Sequence, residues 1–225
     1  MDRFLNTLII EDEPLMVDPI KAALKQIGEN NGLLDFKIKV VANCDAAANE
    51  INRAIHSEPL DLVLLDINLL PSSDGKYISG EDLGVEIRKF FPNTKIIALT
   101  SHNNNYRLNN ILRNLNPEGF LIKSDVDFEK LINALKSVID DCPYYSKLIL
   151  QLMRRHITND FTLDRIDRQL LYQLSKGAKM RHLSDVLPLS KSAIEIRKRN
   201  LKEVFGVGEG DDRSLILKAE ECGFI

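Results

Sequence analysis

The sequence lacks most features of a secreted or membrane-bound protein. It has three cysteines in 225 residues, Cys44, Cys142 and Cys222, and no C-x-x-C spacing. We therefore expect no disulfide framework and no zinc site, and a reducing compartment. No apolar run approaches the ~20 residues of a membrane-spanning helix. The segment Met1-Asp2-Arg3 leads into a strand pattern, not into a secretory signal. We expect a cytoplasmic protein without a membrane partner.

The chain also lacks an internal repeat, a low-complexity tract and a strong net charge. With 44% hydrophobic and 28% charged residues it has the composition of a globular protein, and its length favours two domains. Residues 1–160 carry 18 basic and 23 acidic side chains, whereas residues 161–225 carry 12 and 10. This asymmetry suits a regulatory half joined to an anion-binding half, but uneven sampling explains it nearly as well.

Strand and helix patterns alternate through the first 140 residues. The strand-like runs are Thr7–Ile10, Phe36–Val41, Leu60–Leu65, Lys95–Leu99 and Gly119–Ile122. The helical patterns are Pro14–Ile27, Asp45–Ile55, Glu81–Phe91, Asn104–Leu115 and Asp127–Asp140, with Gly28 as the expected stop of the first. Leu60–Leu65 is the most apolar run, which predicts a central strand. The alternation predicts an α/β fold with a five-stranded, doubly wound parallel sheet.

The pattern changes at Cys142-Pro143, and strand signals end by Leu163. Tyr144–Thr158 predicts a connecting helix. Short helices are predicted at Asp164–Ser175, Arg181–Leu187, Lys191–Phe205 and Arg213–Cys222. Asp164 and Asp167 have the spacing of a capping box, and Gly177 would end that helix. We expect a first domain over residues 1–141, a helical linker over 142–160 and a smaller all-α domain over 161–225.

Polar groups follow four of the five strand-like runs. Asp66 directly follows the most apolar run, Glu11-Asp12-Glu13 follows the first, Thr100 the fourth and Lys123 the fifth. A buried carboxylate is unfavourable unless chemistry or a cation occupies the site. In an open parallel sheet, the carboxyl ends of the strands lie at one edge, where ligands bind. We therefore expect these side chains to form one site.

The expected site has the composition of a phosphoryl-transfer centre. Two carboxylates at ~4 Å repel by about 4 kcal/mol at an effective dielectric constant near ~20, so Glu11, Asp12 and Asp66 favour a bound Mg²⁺. Asp66 would be the nucleophile and form an acyl phosphate. The cation and Lys123 would offset charge on the transferred oxygens, and Thr100 would hydrogen-bond the new phosphoryl group.

Each group also has a simpler interpretation. The acidic triplet could cap the following helix, Asp66 could be a turn residue, and a lysine after a strand is usually solvated. The conjunction of four strand ends favours the functional interpretation.

The quoted segments resemble a known family. Glu11-Asp12-Glu13-Pro14, Leu64-Leu65-Asp66, Ala98-Leu99-Thr100-Ser101 and Gly119-Phe120-Leu121-Ile122-Lys123 match the receiver domain of two-component response regulators in order and spacing, over about residues 5–140. The resemblance implies a flavodoxin-like sheet of strand order 2-1-3-4-5. It also implies phosphorylation of Asp66 by a histidine kinase, a phosphotransfer protein or a small phosphodonor.

The resemblance further implies roles for individual residues. Asp12, Asp66 and the backbone carbonyl of Asn68 would ligate Mg²⁺, and Glu11 would act through water or hold Lys123. Thr100 and Phe120 occupy the positions of the hydroxyl–aromatic switch, and the phosphorylated protein is expected to form a homodimer. The chain departs from the family in an enlarged loop after Asp66, where Ser72–Ile78 either covers the site, alters a partner surface or is a neutral insertion.

The last helices form a helix-turn-helix pattern, in which the second helix enters the major groove of DNA. The span Leu163–Ile225 resembles the LuxR/NarL-type effector domain. The resemblance implies DNA contacts from the segment Lys191–Lys202, and the candidate residues are Lys191, Ser192, Glu195, Arg197, Lys198, Arg199 and Lys202. Glu195 stands where the family usually has a lysine. It either completes a capping box with Ser192 or accepts a hydrogen bond from a cytosine amino group.

Three functions remain open from the sequence. The first is a phosphorylation-switched transcription regulator that binds DNA. The second is a phosphorylation-switched signalling adaptor whose helical domain binds a protein, which the acidic Glu195 favours. The third is an enzyme such as a phosphatase, which is disfavoured because no second nucleophile or general base stands out.

Overall fold

The computed structural model describes residues 3–102, 104–155, 163–208, 210–222 and 224–225. The chain divides into two compact units. One unit comprises Met1–Ser101 and Leu115–Arg155, and the other comprises His102–Asn114 and His156–Ile225. Among the residues so described, no helix has the length and apolarity to traverse a lipid bilayer.

A parallel sheet forms the centre of the first unit. Its strands are β1 (Arg3–Ile10), β2 (Leu34–Val41), β3 (Leu62–Asp66), β4 (Lys95–Thr100), β5 (Gly119–Ile122) and β6 (Tyr144–Tyr145). Their order is β2-β1-β3-β4-β5-β6, so the first five strands have the expected 2-1-3-4-5 order. Every residue of β3 is buried, and β3 lies between β1 and β4, which confirms the prediction of a central strand.

Helices follow the strands in the expected alternation. They are α1 (Pro14–Asn31), α2 (Cys44–Ile55), α3 (Gly80–Phe90), α4 (Asn105–Leu115) and α5 (Phe128–Ile139), and a 3₁₀ turn spans Lys123–Asp125. In the first unit, α1 and α5 pack together over a core that includes Ile9, Leu64, Leu99 and Leu121. Burial of each such side chain contributes about 1.5–3 kcal/mol, so this core holds the strand ends in place.

The end of α1 differs from the prediction. The helix does not stop at Gly28 but continues to Asn31, and Gly32 caps it with φ of 62°. The Gly32 N–H donates to the Gly28 carbonyl at 3.0 Å. The left-handed conformation at the cap favours glycine, whereas Gly28 keeps a helical backbone. The prediction therefore placed the end of the helix at the wrong glycine, one turn too early.

The linker also differs from the prediction of a single helix from Tyr144. Tyr144 and Tyr145 form β6 and pair with Gly119 and Phe120 of β5. Helix α6 (Lys147–Arg155) begins only after this strand, and residues 156–158 lie outside the described part of the chain. The sheet thus has six strands where five were expected, because the start of the linker pairs alongside β5 as an additional edge strand.

Four further helices lie in the second unit: α7 (Arg165–Ser175), α8 (Met180–Val186), α9 (Lys191–Val204) and α10 (Asp212–Glu221). Asp164 and Asp167 form the expected capping box at the start of α7, and Gly177 has φ of 76° just after its end. Ser190 caps α9 by accepting the Ala193 N–H. The apolar faces of these helices meet in one core, which includes Leu170, Leu171, Leu183, Ile194, Leu201 and Leu215.

Candidate functional site

The strand register places the predicted polar residues at one edge of the sheet. Ile10 pairs with Leu65, Asp66 with Leu99 and Thr100 with Ile122. The residues at or just after these positions are therefore level across four adjacent strands. Asp66 and Thr100 end their strands with 1% and 0% exposure, so both polar groups are buried at the edge where a ligand of a parallel sheet binds.

Lys123 joins the acidic residues. Its Nζ lies 2.9 Å from Glu11 Oε1, 2.9 Å from Glu13 Oε1 and 3.0 Å from Asp66 Oδ2. Burial alone would lower the pKa of Lys123, but the hydrogen bonds to Glu13 and Glu11 and the charge of Asp66 raise it above its ordinary value. The amine is therefore a permanent cation against the Asp66 carboxylate.

Burial makes the two innermost carboxylates hard to ionise. It raises the pKa of Asp66, against the opposing effects of the Asn68 N–H and Lys123. It also raises the pKa of Glu11 to about 7, although the hydrogen bond from Lys123 opposes the shift. Desolvation penalises the charged form of each acid, so one amine does not fully offset the charge of this cluster.

The cluster has the donor set of a divalent-cation site. One carboxylate oxygen from each of Glu11, Asp12, Glu13 and Asp66 lies within 4.8 Å of the others. Glu11 Oε2 is buried and has no hydrogen-bond partner among the described residues. A buried carboxylate oxygen without a donor is unfavourable, and hard cations such as Mg²⁺ prefer carboxylate oxygens. Glu13 stands at the N-cap of α1 without a side-chain capping bond, and its backbone N–H donates to Glu11 Oε1 at 3.1 Å.

The carboxyl end of β4 is tied to the loop after β3. Asn68 donates its backbone N–H to Asp66 Oδ1 at 2.8 Å. The Asn68 side-chain oxygen accepts the Thr100 hydroxyl at 3.1 Å and the Ser101 N–H at 2.9 Å. Phe120, the predicted switch aromatic, is fully buried in β5. The Asp66 carboxylate, the Thr100 hydroxyl and Asn68 thus form one hydrogen-bonded group.

Gly80 allows α3 to begin directly against Asp66. A Cβ atom added at Gly80 would lie 1.8 Å from the Asp66 carbonyl oxygen, a distance that no side chain can adopt. The Gly80 N–H also donates to the Ile67 carbonyl at 3.2 Å. Nothing in the sequence pattern indicated this contact between Gly80 and Asp66.

The enlarged loop is anchored at several points. Tyr77 is buried and its hydroxyl donates to Glu86 Oε1 at 2.7 Å. The Ser73 N–H donates to Asp45 Oδ2 at 3.1 Å, and the Ile78 N–H donates to Asp82 Oδ2 at 2.8 Å. These bonds attach the insertion to α2 and α3, so it is an ordered part of the first unit.

A known family model matches the part of the chain that carries this site. The model of the response regulator receiver domain matches residues 7–136, which is more than half of the chain. The chain belongs to the response regulator receiver family. The resemblance inferred from the strand ends is thereby confirmed, and residues 7–136 are described below as the receiver.

Two relatives resemble the chain well beyond the receiver. The nitrate/nitrite response regulator protein NarP of Escherichia coli K12 is 26% identical over 202 residues, which cover 87% of this chain and 86% of NarP. The oxygen regulatory protein NreC of Staphylococcus aureus JH9 is 23% identical over 182 residues, which cover 76% of this chain and 80% of NreC.

A solved structure is similar over nearly the whole length. RcsB from Salmonella enterica serovar Typhimurium, bound to promoter rprA in the presence of phosphomimetic BeF₃⁻, is 21% identical with a TM-score of 0.66. The similarity covers 96% of this chain and 98% of that one. At this identity the similarity concerns the fold, and it includes the carboxy-terminal helices.

The predicted DNA-contact residues do not share one face of α9. Arg197 Nη1 lies 2.8 Å from Asp164 Oδ2 and 2.6 Å from Asp167 Oδ1 at the start of α7. Lys198 and Lys202 lie 2.8 and 3.2 Å from the Asp212 carboxylate at the start of α10. These three cations link helices of the second unit, so each would have to leave an ion pair in order to contact a phosphate.

The exposed face of α9 is less basic than predicted, because it lacks Arg197, Lys198 and Lys202. Its exposed residues are Lys191, Ser192, Glu195, Ile196, Arg199, Asn200 and Glu203. Ile196 is 50% exposed in the middle of this polar face. The cap of α9 is Ser190 and not Ser192, so Glu195 does not complete the capping box considered above. Glu195 instead lies 3.8 Å from Lys198.

Proposed function

We propose that this chain is a two-component response regulator in which phosphorylation of Asp66 controls DNA binding by α9 and its neighbouring helices. The observation that carries the proposal is the contact of the buried Asp66 carboxylate with Lys123 inside a cluster of acidic residues. A buried nucleophilic carboxylate, a fixed amine and a nearby hydroxyl are the groups that phosphoryl transfer to aspartate requires.

The transfer itself exchanges one bond for another. An oxygen of Asp66 attacks the phosphorus of a phosphohistidine on a kinase or phosphotransfer protein, or of a small acyl phosphate. The new O–P bond forms as the P–N or P–O bond of the donor breaks, and the leaving histidine nitrogen takes up a proton. Lys123 orients the Asp66 carboxylate and offsets charge on the phosphoryl oxygens.

A bound Mg²⁺ fits the chemistry of the acidic cluster. The carboxylates of Asp12 and Asp66 and the backbone carbonyl of Asn68 would hold it. Glu11 Oε2, which has no hydrogen-bond partner among the described residues, could ligate the ion or accept a hydrogen bond from a water bound to it. When bound, the cation supplies positive charge against the phosphoryl oxygens.

The product changes the charge at the edge of the sheet. A phosphoryl group adds about −1.5 to −2 charges and strong acceptor oxygens. Thr100 would turn its hydroxyl towards these oxygens, and Phe120 would fill the space behind it. This change would shift an existing equilibrium between two receiver states and favour a homodimer. The phosphodonors in this proposal are a phosphorylated kinase or phosphotransfer protein and small acyl phosphates. Because these donors act in the cytoplasm, we place the protein there.

DNA recognition would use the outward face of α9. Arg199 and Lys191 are its exposed cations, Glu195 can accept from a cytosine amino group, and Ile196 can contact a thymine methyl group. The face also carries Glu203, so its charge is balanced. Few released counterions mean weak electrostatic affinity per protomer, which two copies on a two-fold site would offset.

A binding experiment with the full chain tests the proposal. DNA fragments would be selected from a random library with phosphorylated protein, and affinity would be measured by fluorescence anisotropy at low and moderate salt. We expect phosphorylation to tighten binding at least ~10-fold, as for a typical allosteric coupling. Asp66→Asn should abolish the response, whereas the exposed acid Asp18→Asn should preserve it. Fully phosphorylated protein that selects no DNA would instead favour a protein-binding adaptor.

A further inference from the structure

Asn68 makes contacts that its role as a backbone ligand does not require. Its backbone N–H bonds to Asp66, while its side-chain oxygen receives the Thr100 hydroxyl and the Ser101 N–H. One side chain thereby connects the phosphoryl acceptor with the last residue of β4 and the residue that follows it.

The orientation of the Asn68 amide follows from chemistry. A backbone N–H can only donate a hydrogen bond, so the atom that faces Ser101 must be the side-chain oxygen. The same oxygen accepts from Thr100, because a carbonyl oxygen has two lone pairs. Both donors therefore depend on one acceptor, which is held in place by the backbone bond to Asp66.

The Thr100 hydroxyl has a single proton. In this structure that proton is directed at Asn68, and Thr100 is fully buried. The hydroxyl cannot donate the same proton fully to a phosphoryl oxygen on Asp66. Movement of Thr100 towards the phosphoryl group therefore requires the bond to Asn68 to break.

We propose that the side chain of Asn68 is a latch that holds Thr100 and Ser101 in the unphosphorylated position. The inference rests on the proposed function, in which Thr100 responds to phosphorylation of Asp66. Asn68 is here a positioning residue, since it acts through Thr100 and not on the phosphoryl group. The latch adds the breaking of one hydrogen bond to the cost of switching, and it connects the hydroxyl to the backbone of the loop that follows β4.

Removal of the latch should favour the active state before any phosphate is bound. A neutral hydrogen bond shifts an equilibrium by about 3- to 10-fold. In metal-free Asn68→Ala, the amide resonances of Thr100, Ser101 and Phe120 should move part of the way from their wild-type positions towards those of wild type saturated with Mg²⁺ and BeF₃⁻. The BeF₃⁻ concentration at half-saturation should fall by about the same 3- to 10-fold.

Two further variants control the measurement. Asn68→Asp keeps an acceptor oxygen at the same place, so the Ser101 amide proton should stay near its wild-type shift. Asn93→Ala removes an exposed asparagine from the loop before β4 and should leave the three resonances unchanged. The metal-free spectra are informative even if Asn68→Ala weakens Mg²⁺ binding.

The outcomes separate the latch from the proposed function. If BeF₃⁻ leaves the wild-type spectrum unchanged, both the proposed function and the latch are wrong. If BeF₃⁻ shifts the wild-type spectrum but the Thr100, Ser101 and Phe120 resonances of metal-free Asn68→Ala stay in place, the latch alone is wrong. A Ser101 shift that Asn68→Asp fails to preserve also contradicts it, because the acceptor oxygen would then be irrelevant.

Discussion

Lys123 is the residue on which the charge balance of the receiver site depends. Its side chain is 8% exposed and contacts Glu11 and Asp66, whose side chains are 0% and 1% exposed. Removal of one partner from a buried ion pair typically costs about 3–5 kcal/mol, because the remaining charge is left unpaired. The amine therefore stabilises the fold, and in the proposed function it also orients the carboxylate for reaction.

Lys123→Ala should destabilise the metal-free receiver by about 3–5 kcal/mol, because two buried carboxylates lose their cation. Urea unfolding at neutral pH measures the loss. Mg²⁺ should recover more stability in the variant than in the wild type, since an ion that binds only the folded state stabilises it. Lys130→Ala, which removes an exposed lysine of α5, is the control. Equal stability of the two variants would contradict the assigned role.

Several residues of the site could be found from the sequence and others could not. Asp66, Thr100 and Lys123 each directly follow or end an apolar run, so the geometry of a parallel sheet brings them together. Glu13 lies one position past Glu11 and Asp12, the predicted metal-site acids, and nothing in the pattern distinguished its contact with Lys123 from helix capping. The hydrogen bonds of Asn68 join the loop after β3 to the end of β4. Hydrophobic periodicity in the sequence does not predict such a contact between loops.

At the scale of secondary structure, the linker strand β6 is the least expected element. The Tyr144 N–H donates to the Glu118 carbonyl at 2.9 Å, and the Ser146 N–H donates to the Phe120 carbonyl at 3.0 Å. Paired β6 also covers the edge of β5, which would otherwise present free backbone groups. The start of the linker is thereby fixed to the strand that carries Phe120, the predicted switch aromatic.

Ser146→Pro should loosen this strand, because proline has no N–H to donate to Phe120. Tyr145 is already extended, as a residue before proline prefers. Amide hydrogen exchange of Tyr144 should accelerate by about 5- to 10-fold, which corresponds to one lost hydrogen bond. Ser146→Ala keeps the N–H and removes only a buried hydroxyl without a partner among the described residues. Identical exchange in the two variants would refute the pairing.

Helix α9 separates structural cations from exposed ones. Arg197→Ala should lower the stability of the second unit by about 2 kcal/mol, since hydrogen bonds to charged groups contribute about 1.5–3 kcal/mol each and Asp167 is buried. Arg199→Ala should change stability by less than ~0.5 kcal/mol, as surface substitutions do, and weaken DNA binding instead. Amide exchange of α7 and DNA titration of both variants measure the contrast. A reversed pattern would place Arg197 on the DNA.

The secondary structure was predictable where the signal is periodic. The apolar run of β3 and the capping box of α7 each fix an element from local chemistry. Tyr144-Tyr145 is too short to show a period of two, and its strand exists only because β5 offers an open edge. The ion pair of Arg197 was missed for a related reason, because the position of its partners on α7 depends on tertiary packing.

At the scale of the whole molecule, the receiver and the helix-turn-helix must be coupled by a modest free energy. A 10-fold change in DNA affinity corresponds to about 1.4 kcal/mol. This is comparable to the contribution of one or two hydrogen bonds, so a local rearrangement around Asn68, Thr100 and Phe120 is large enough to supply it. Regulation of this kind requires only that phosphorylation favour one of two existing states.

The most direct test of Asp66 as the phosphoryl acceptor is the intact mass of the protein after incubation with acetyl phosphate and Mg²⁺. We predict a gain of one phosphoryl group per chain, located at Asp66 by peptide mapping, lost in Asp66→Asn, reduced on removal of Mg²⁺ and retained in Asp18→Asn. Wild-type protein that gains no phosphoryl group, or that carries it on a residue other than Asp66, would contradict the account.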